Sequence, residues 1–124
     1  MVKQKTRAPG QRQLRVGEEL RHALSQIIER GELRDPELAG ISITVTEVRI
    51  SPDLRNATAF VVPLGGAGLM EIIEPLRRAT SFLRHRIAQM VELRRVPNLM
   101  FEPDESFDNF DRINQALNNG SHGA

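Results

Sequence analysis

Ile41-Ser42-Ile43-Thr44-Val45-Thr46-Glu47-Val48-Arg49-Ile50-Ser51-Pro52-Asp53 is the stretch on which the fold turns. Ile41 to Thr46 alternates apolar and polar side chains at period two and is rich in β-branched residues, which predicts a strand with one buried face. After Glu47 the apolar parity switches to Val48 and Ile50, so a bulge or twist is expected there. Ser51-Pro52-Asp53 has the chemistry of a tight turn, because proline fixes φ and the Asp carboxylate reaches its own backbone. A second strand follows from about Asn56 to Val62, and the whole stretch reads as a hairpin.

Upstream, Leu14, Val16, Leu20, Ala23, Leu24, Ile27 and Ile28 recur at helical spacing and Gly31 supplies a stop, which predicts a helix from about Gln13 to Arg30. Downstream, Leu69 to Val91 is helical by pattern but contains Pro75 and the run Ala79-Thr80-Ser81. Proline removes a helix donor and clashes one turn back, and Thr beside Ser competes for the backbone. The segment is therefore either two helices meeting at Ala79 to Ser81 or one kinked helix. Val96-Pro97 ends it, Leu99 to Phe101 forms a short third strand, Asp104 to Leu117 a final polar helix, and Asn118 to Ala124 a loose tail. Helix, strand, strand, helix, helix, strand implies an α+β fold, a three-stranded sheet covered on one face by helices.

A chain of 124 residues fits one domain, and 40% apolar with 27% charged residues is the mix of a folded soluble protein. No apolar run approaches the roughly 18 residues that cross a bilayer, and Met1 to Gln13 is polar and basic, which speaks against export and membrane insertion. The lack of Cys rules out disulfides and thiolate chemistry and suits a reducing cytosol. A net charge of +1, with no Trp or Tyr and five Phe, speaks against nucleic-acid binding when taken alone.

Resolved along the chain, the charge tells a different story. Lys3, Lys5, Arg7, Arg12 and Arg15 open the sequence with no acid among them, and Pro9-Gly10 marks residues 1–11 as a mobile basic arm. Residues 12–112 form the domain and residues 113–124 the tail. Between Arg77 and Arg95, Arg77, Arg78, Arg84, Arg86, Arg94 and Arg95 face one acid, Glu92. Glu102, Asp104, Glu105, Asp108 and Asp111 then reverse the sign.

Projected at 100° per residue, Leu69, Ile72, Ile73, Leu76, Leu83, Ile87, Met90 and Val91 share an apolar arc, while Arg77, Arg84 and Arg95 fall on nearly one line outside it, next to Arg78 and His85. Arginines on an amphipathic helix are ordinarily a solvated face. Here acids at i±4 are nearly absent, so repulsion stays uncompensated unless an anion arrives, and a phosphate-binding surface is favoured.

Other chemistry is thin. Pro63-Leu64-Gly65-Gly66-Ala67-Gly68 lacks the Lys-Ser/Thr of a P-loop and the third glycine of a dinucleotide fingerprint, and reads as a flexible connector. His22, His85 and His122 are dispersed, Ser25, Ser42, Ser51, Ser81 and Ser106 have no His at a suggestive distance, and the acidic run lacks the calcium-loop signature. The residues define no catalytic set, no metal site, no cofactor and no small-molecule substrate.

The ordered fragments resemble bacterial ribosome-binding factor A over about Gln11 to Ile113. They are Arg12-Gln13-Leu14-Arg15-Val16, Asp35-Pro36, Ile43-Thr44-Val45-Thr46-Glu47-Val48 leading into Ser51-Pro52-Asp53-Leu54, Phe82-Leu83-Arg84, Val96-Pro97-Asn98-Leu99-Met100-Phe101 and Asp104-Glu105-Ser106. The resemblance implies a type II KH-like fold in which an Ala-x-Gly kink replaces the usual GxxG loop. Ala79-Thr80-Ser81 stands at that position, with Ser81 departing from the glycine, and Pro75 is expected to share the bending. It further implies a non-enzymatic, monomeric, cytoplasmic factor that binds the free 30S subunit and assists late maturation and 5′-end processing of 16S rRNA, with a link to growth in the cold. The residues carried over are Ala79, Thr80 and Ser81 with Arg77, Arg78, Arg84 and Arg86. Charge alone adds Arg12, Arg15, Arg94 and Arg95 as phosphate contacts. The competing expectation is a protein-interaction module whose acidic Glu102 to Asp111 segment docks a basic ribosomal protein.

Overall fold

The computed structural model of the chain describes residues 9–65 and 68–105. The final helix expected beyond Asp104 lies almost wholly outside the described residues, as do the tail, most of the basic arm, and Asp108 and Asp111 of the acidic run.

Helix α1 spans Gln11–Glu29, two residues earlier than its apolar pattern suggests, because Gly10 caps it. The Gln13 side chain accepts a hydrogen bond from the Gly10 N–H at 3.0 Å and donates to the Ile50 carbonyl at 2.8 Å, so one residue both closes the helix start and pins it to the sheet. The helix ends as a Schellman motif. Gly31, at φ +72°, donates to Ile28 and Glu32 donates to Ile27, which satisfies carbonyls the helix would otherwise leave open.

Strand β1 covers Ile43–Ile50 and β2 Asn56–Pro63, paired antiparallel, with the register shifting between Val45 and Glu47. Thr46 is the extra residue of the expected bulge. Its insertion is what lets Ile43, Val45, Val48 and Ile50 all face the core. The intervening turn is closed by Leu54 N–H to the Ser51 carbonyl, with Leu54 at φ +62°. Asp53 accepts from the Ser51 hydroxyl and from the Arg55 N–H, and these two bonds, in that order, hold its carboxyl below the usual carboxylate range.

A short 3₁₀ turn at Met70–Ile72 leads into α2, Ile73–Arg78, and α3, Thr80–Met90. Of the two alternatives, two helices meeting is the one realised, and the break is a single residue, Ala79. Pro75 does not share the bending. It sits in the first turn of α2, where its missing N–H would have no partner anyway, and the break comes four residues later.

Helix α3 stops at Met90, earlier than Val96-Pro97 suggests, because Val91 turns to extended backbone at φ −123°, ψ 136°. Val91 and Leu93 then pack against the core from alternate positions of this extended segment. Strand β3, Asn98–Pro103, runs parallel to β2, giving the sheet order β1-β2-β3.

The helices cover one sheet face. Val16, Leu20, Leu24 and Ile27 of α1, Ile73 and Leu76 of α2, and Leu83 and Ile87 of α3 close over Val45, Val61 and Phe101. Helix α1 lies unusually close to β1, since a Cβ on Gly17 would stand 2.5 Å from the Val48 carbonyl oxygen. On the opposite sheet face the Arg49 guanidinium lies 5.0 Å from the Phe60 ring centroid.

Candidate nucleic-acid interface

Ala79 adopts φ −89°, ψ 2°, and its N–H is shared between the Pro75 and Leu76 carbonyls while its own carbonyl accepts from Leu83. The break therefore keeps its backbone satisfied. Thr80 and Ser81 are helical, the first two residues of α3, and Ser81 is exposed.

The arginines bracketing this break are not uncompensated, contrary to what helical spacing implied. Arg78 reaches Asp35 at 2.8 Å and Glu37 at 3.0 Å, acids more than forty positions away in sequence. Arg86 forks onto Glu32 at 2.8 and 3.2 Å and also reaches Gln89. Arg84 donates to the Val96 and Pro97 carbonyls at 2.8 and 3.0 Å, tying α3 to the entry of β3. Arg77 has Glu74 at 3.6 Å and the Phe101 carbonyl at 3.5 Å. The compensating acids come mainly from the α1–β1 connection, which carries a 3₁₀ turn at Pro36–Leu38. Asp35 caps that turn, and the Glu37 N–H, followed by Arg78, holds its carboxyl below the ordinary value. Arg86 does the same for Glu32.

Arg95 also leaves the helical line on which projection placed it, because α3 has ended by then. Arg94 and Arg95 instead face the start of α1. Together with Arg12 they line a cavity of about 340 Å³, with Val16, Leu54, Leu93 and Pro97 as its apolar lining. A neighbouring hollow of about 570 Å³ shares Arg12 and adds Arg15 and His22 together with Glu19 and Glu92. Among the described residues Arg12, Arg15, Arg94 and Arg95 make no ion pair or side-chain hydrogen bond. The site residues proposed from charge alone are thus the ones without a charged partner among the described residues, and they lie at one end of α1 and beside it.

Arg55 belongs to the same cavity and was missed by sequence reasoning. The signal lay in the topology. A third strand parallel to β2 must begin beside Asn56, and the Asn98 N–H does bond to the Arg55 carbonyl at 2.8 Å. That register carries the arginines just before β3 to the hairpin turn. Of the acidic run, Asp104 is bonded to the Thr46 hydroxyl at the bulge, which places it on the sheet and away from the arginine end.

The sequence profile of ribosome-binding factor A matches residues 12–117. A ribosome-binding factor A from Paramagnetospirillum magneticum is 64% identical over 110 residues, 89% of this chain and 78% of that protein. The crystal structure of ribosome-binding factor A from Thermus thermophilus superposes with a TM-score of 0.61 at 30% identity, covering 73% of this chain and 94% of that one. A homology model of the Thermus thermophilus factor, fitted into the cryo-EM map of its complex with the 30S subunit, gives 0.55 at 32% identity over 69% of this chain and 88% of that one. The α+β architecture read from the sequence is thus the architecture of these structures, and the chain belongs to the ribosome-binding factor A family.

Proposed function

We propose that this protein is a non-catalytic assembly factor that binds the free 30S subunit in the cytoplasm, as a monomer, and assists late maturation and 5′-end processing of 16S rRNA. The observation that carries the reading is family membership together with the structural neighbour fitted into a 30S complex. Its chemistry supports RNA as the partner. The described surface offers free arginines and a helix break lined by the small side chains of Ala79, Thr80 and Ser81, a place where another backbone can approach closely. Arg12, Arg15, Arg94 and Arg95 supply the phosphate contacts, while Arg77, Arg78, Arg84 and Arg86, each already bonded within the protein, frame the break against which RNA would lie. With no Trp or Tyr to stack on, recognition proceeds through phosphates and shape.

Sedimentation tests this directly. The protein should comigrate with isolated 30S subunits and not with 70S ribosomes, and cells lacking it should accumulate 16S rRNA with an unprocessed 5′ end, more so in the cold. Equal partition between 30S and 70S particles, or normal 5′ ends in the deletion strain, would remove the reading.

A further inference from the structure

We propose that the hollow lined by Arg12, Arg55, Arg94 and Arg95 is a dedicated binding site for the phosphodiester backbone of RNA, with Arg55 at the tip of the hairpin as one of its contacts. The inference rests on the RNA-binding reading above and adds to it a location and a new residue.

Four arginines from three separate parts of the chain line one hollow of about 340 Å³. They come from the first turn of α1, the β1–β2 turn and the segment between α3 and β3. Bringing like charges together is unfavourable, and the fold does not offset it in the way it offsets the charges at the helix break. Arg78 and Arg86 have carboxylates, whereas Arg12, Arg94 and Arg95 have no side-chain partner among the described residues.

The one acid lining the hollow is Asp53, and its Oδ1 is already committed to the Ser51 hydroxyl and the Arg55 N–H. Asp53 therefore shapes the turn that presents Arg55 and offsets only part of the positive charge. An anion supplied from outside would complete the balance.

The site is also built firmly. Gln13 fixes the start of α1 to Ile50, the Asn98 N–H fixes the entry of β3 to Arg55, and the Asn56 N–H bonds back to the Ser51 hydroxyl. Leu54 holds its left-handed backbone conformation while its side chain packs on the core, which sets the direction of the turn. Val16, Leu54, Leu93 and Pro97 supply the apolar part of the lining between the exposed arginines.

The chemistry of the lining selects phosphate over base. Guanidinium forks match phosphate oxygens in pairs, and no aromatic side chain lines the hollow for a base to stack on. Arg12 is shared with the adjacent hollow, where Arg15 stands with Glu19 and Glu92, so a continuous backbone would meet a second, partly offset cation one turn further along α1. A free phosphate ion would gain nothing from that continuation, which favours a polymer.

The test compares the full chain with Arg55→Gln and with the triple variant Arg12→Gln, Arg94→Gln, Arg95→Gln. Binding to isolated 30S subunits, and to a fluorescent single-stranded RNA by anisotropy, is followed between ~50 and ~200 mM KCl. Each phosphate contact contributes about 0.7 to the slope of log K against log salt for a single strand. Arg55→Gln should therefore flatten the slope by about 0.7 and the triple variant by about 2, while Arg55→Lys restores most of it. Unchanged slopes in both Gln variants, with the parent still binding 30S subunits, would overturn the site and leave the assembly-factor reading standing. Failure of the parent to bind 30S subunits would instead defeat that reading. Inorganic phosphate that displaces the RNA at equal ionic strength, where chloride does not, would overturn the polymer assignment in favour of a free-anion site.

Discussion

Arg86 and Glu32 meet through two hydrogen bonds, at 2.8 and 3.2 Å, with both side chains less than a quarter exposed. The pair fastens the segment just after α1 to the middle of α3. Glu32→Gln should keep the shape but lose the charge-assisted fork, lowering the thermal midpoint. Arg86→Lys should fall short of the parent as well, because an ammonium is not a planar fork. Differential scanning calorimetry of both variants checks this, and a midpoint equal to the parent in each would show that the fork contributes nothing.

Glu32 also shapes the low-pH behaviour, together with Asp35 and Asp53. The carboxyls of Glu32, Asp35 and Asp53 are all held below their ordinary values, chiefly by Arg86, by the Glu37 N–H and by the Ser51 hydroxyl respectively. A carboxyl with a depressed folded-state pKa contributes stability that is full above its unfolded value, near ~4, and is lost as pH falls through the folded one. Urea midpoints should therefore be level from neutrality to about pH 5 and decline below about pH 4. Replacing Glu32 and Asp35 by Gln and Asn should lower the plateau and make the decline shallower, which a urea series across pH would show.

Gly17 presents two opposed effects. Glycine to alanine inside a helix ordinarily gains about 0.5–1 kcal/mol, but here the added Cβ would meet the Val48 carbonyl at 2.5 Å, a backbone atom that cannot swing aside. Overpacking of this kind costs about 1–3 kcal/mol. Gly17→Ala should thus be destabilising by about 1–2 kcal/mol, read as a lower urea midpoint at an unchanged m value.

These relationships divide into those the sequence displays and those it does not. The parity switch at Glu47 is local, and a bulge is the one backbone device that keeps Ile43, Val45, Val48 and Ile50 on a single face. Element order was equally legible, because apolar period and turn chemistry act over a few residues. The partners of Arg78 and Arg86 are contacts across more than forty and more than fifty positions, and no i±4 argument reaches them. Arg95 was misplaced for a related reason. A helical projection extends only as far as the helix, and α3 gives way at Val91 to an extended segment whose alternate residues Val91 and Leu93 pack on the core. Period two in so short a segment is easily absorbed into the tail of a period of 3.6.

Arg84 separates a charge from a geometry. Its Nε and Nη2 donate to the consecutive carbonyls of Pro97 and Val96, and a lysine keeps the charge but reaches one of them at best. Arg84→Lys should lose about 1.5–3 kcal/mol of stability, the usual worth of a charge-assisted hydrogen bond. The salt dependence of 30S binding should stay as in the parent. A changed slope with unchanged stability would reverse the assignment and make Arg84 a phosphate contact first.

Arg78 poses the question of access at the helix break, because any phosphate reaching it must displace Asp35 and Glu37. Those carboxylates occupy the positions that two phosphate oxygens would take, so the exchange replaces one anion by another and releases little net charge. Asp35→Asn with Glu37→Gln removes both competitors. The freed guanidinium should then add a contact, steepening the salt dependence of RNA binding by about 0.7 for a single strand and tightening binding at low salt. Arg78→Gln in the parent background should barely alter the slope, since the charge it removes was already paired. Should the double variant bind with the parental slope, Arg78 serves to anchor the Asp35–Glu37 turn against the break, and the arginine end carries the electrostatics of binding without it.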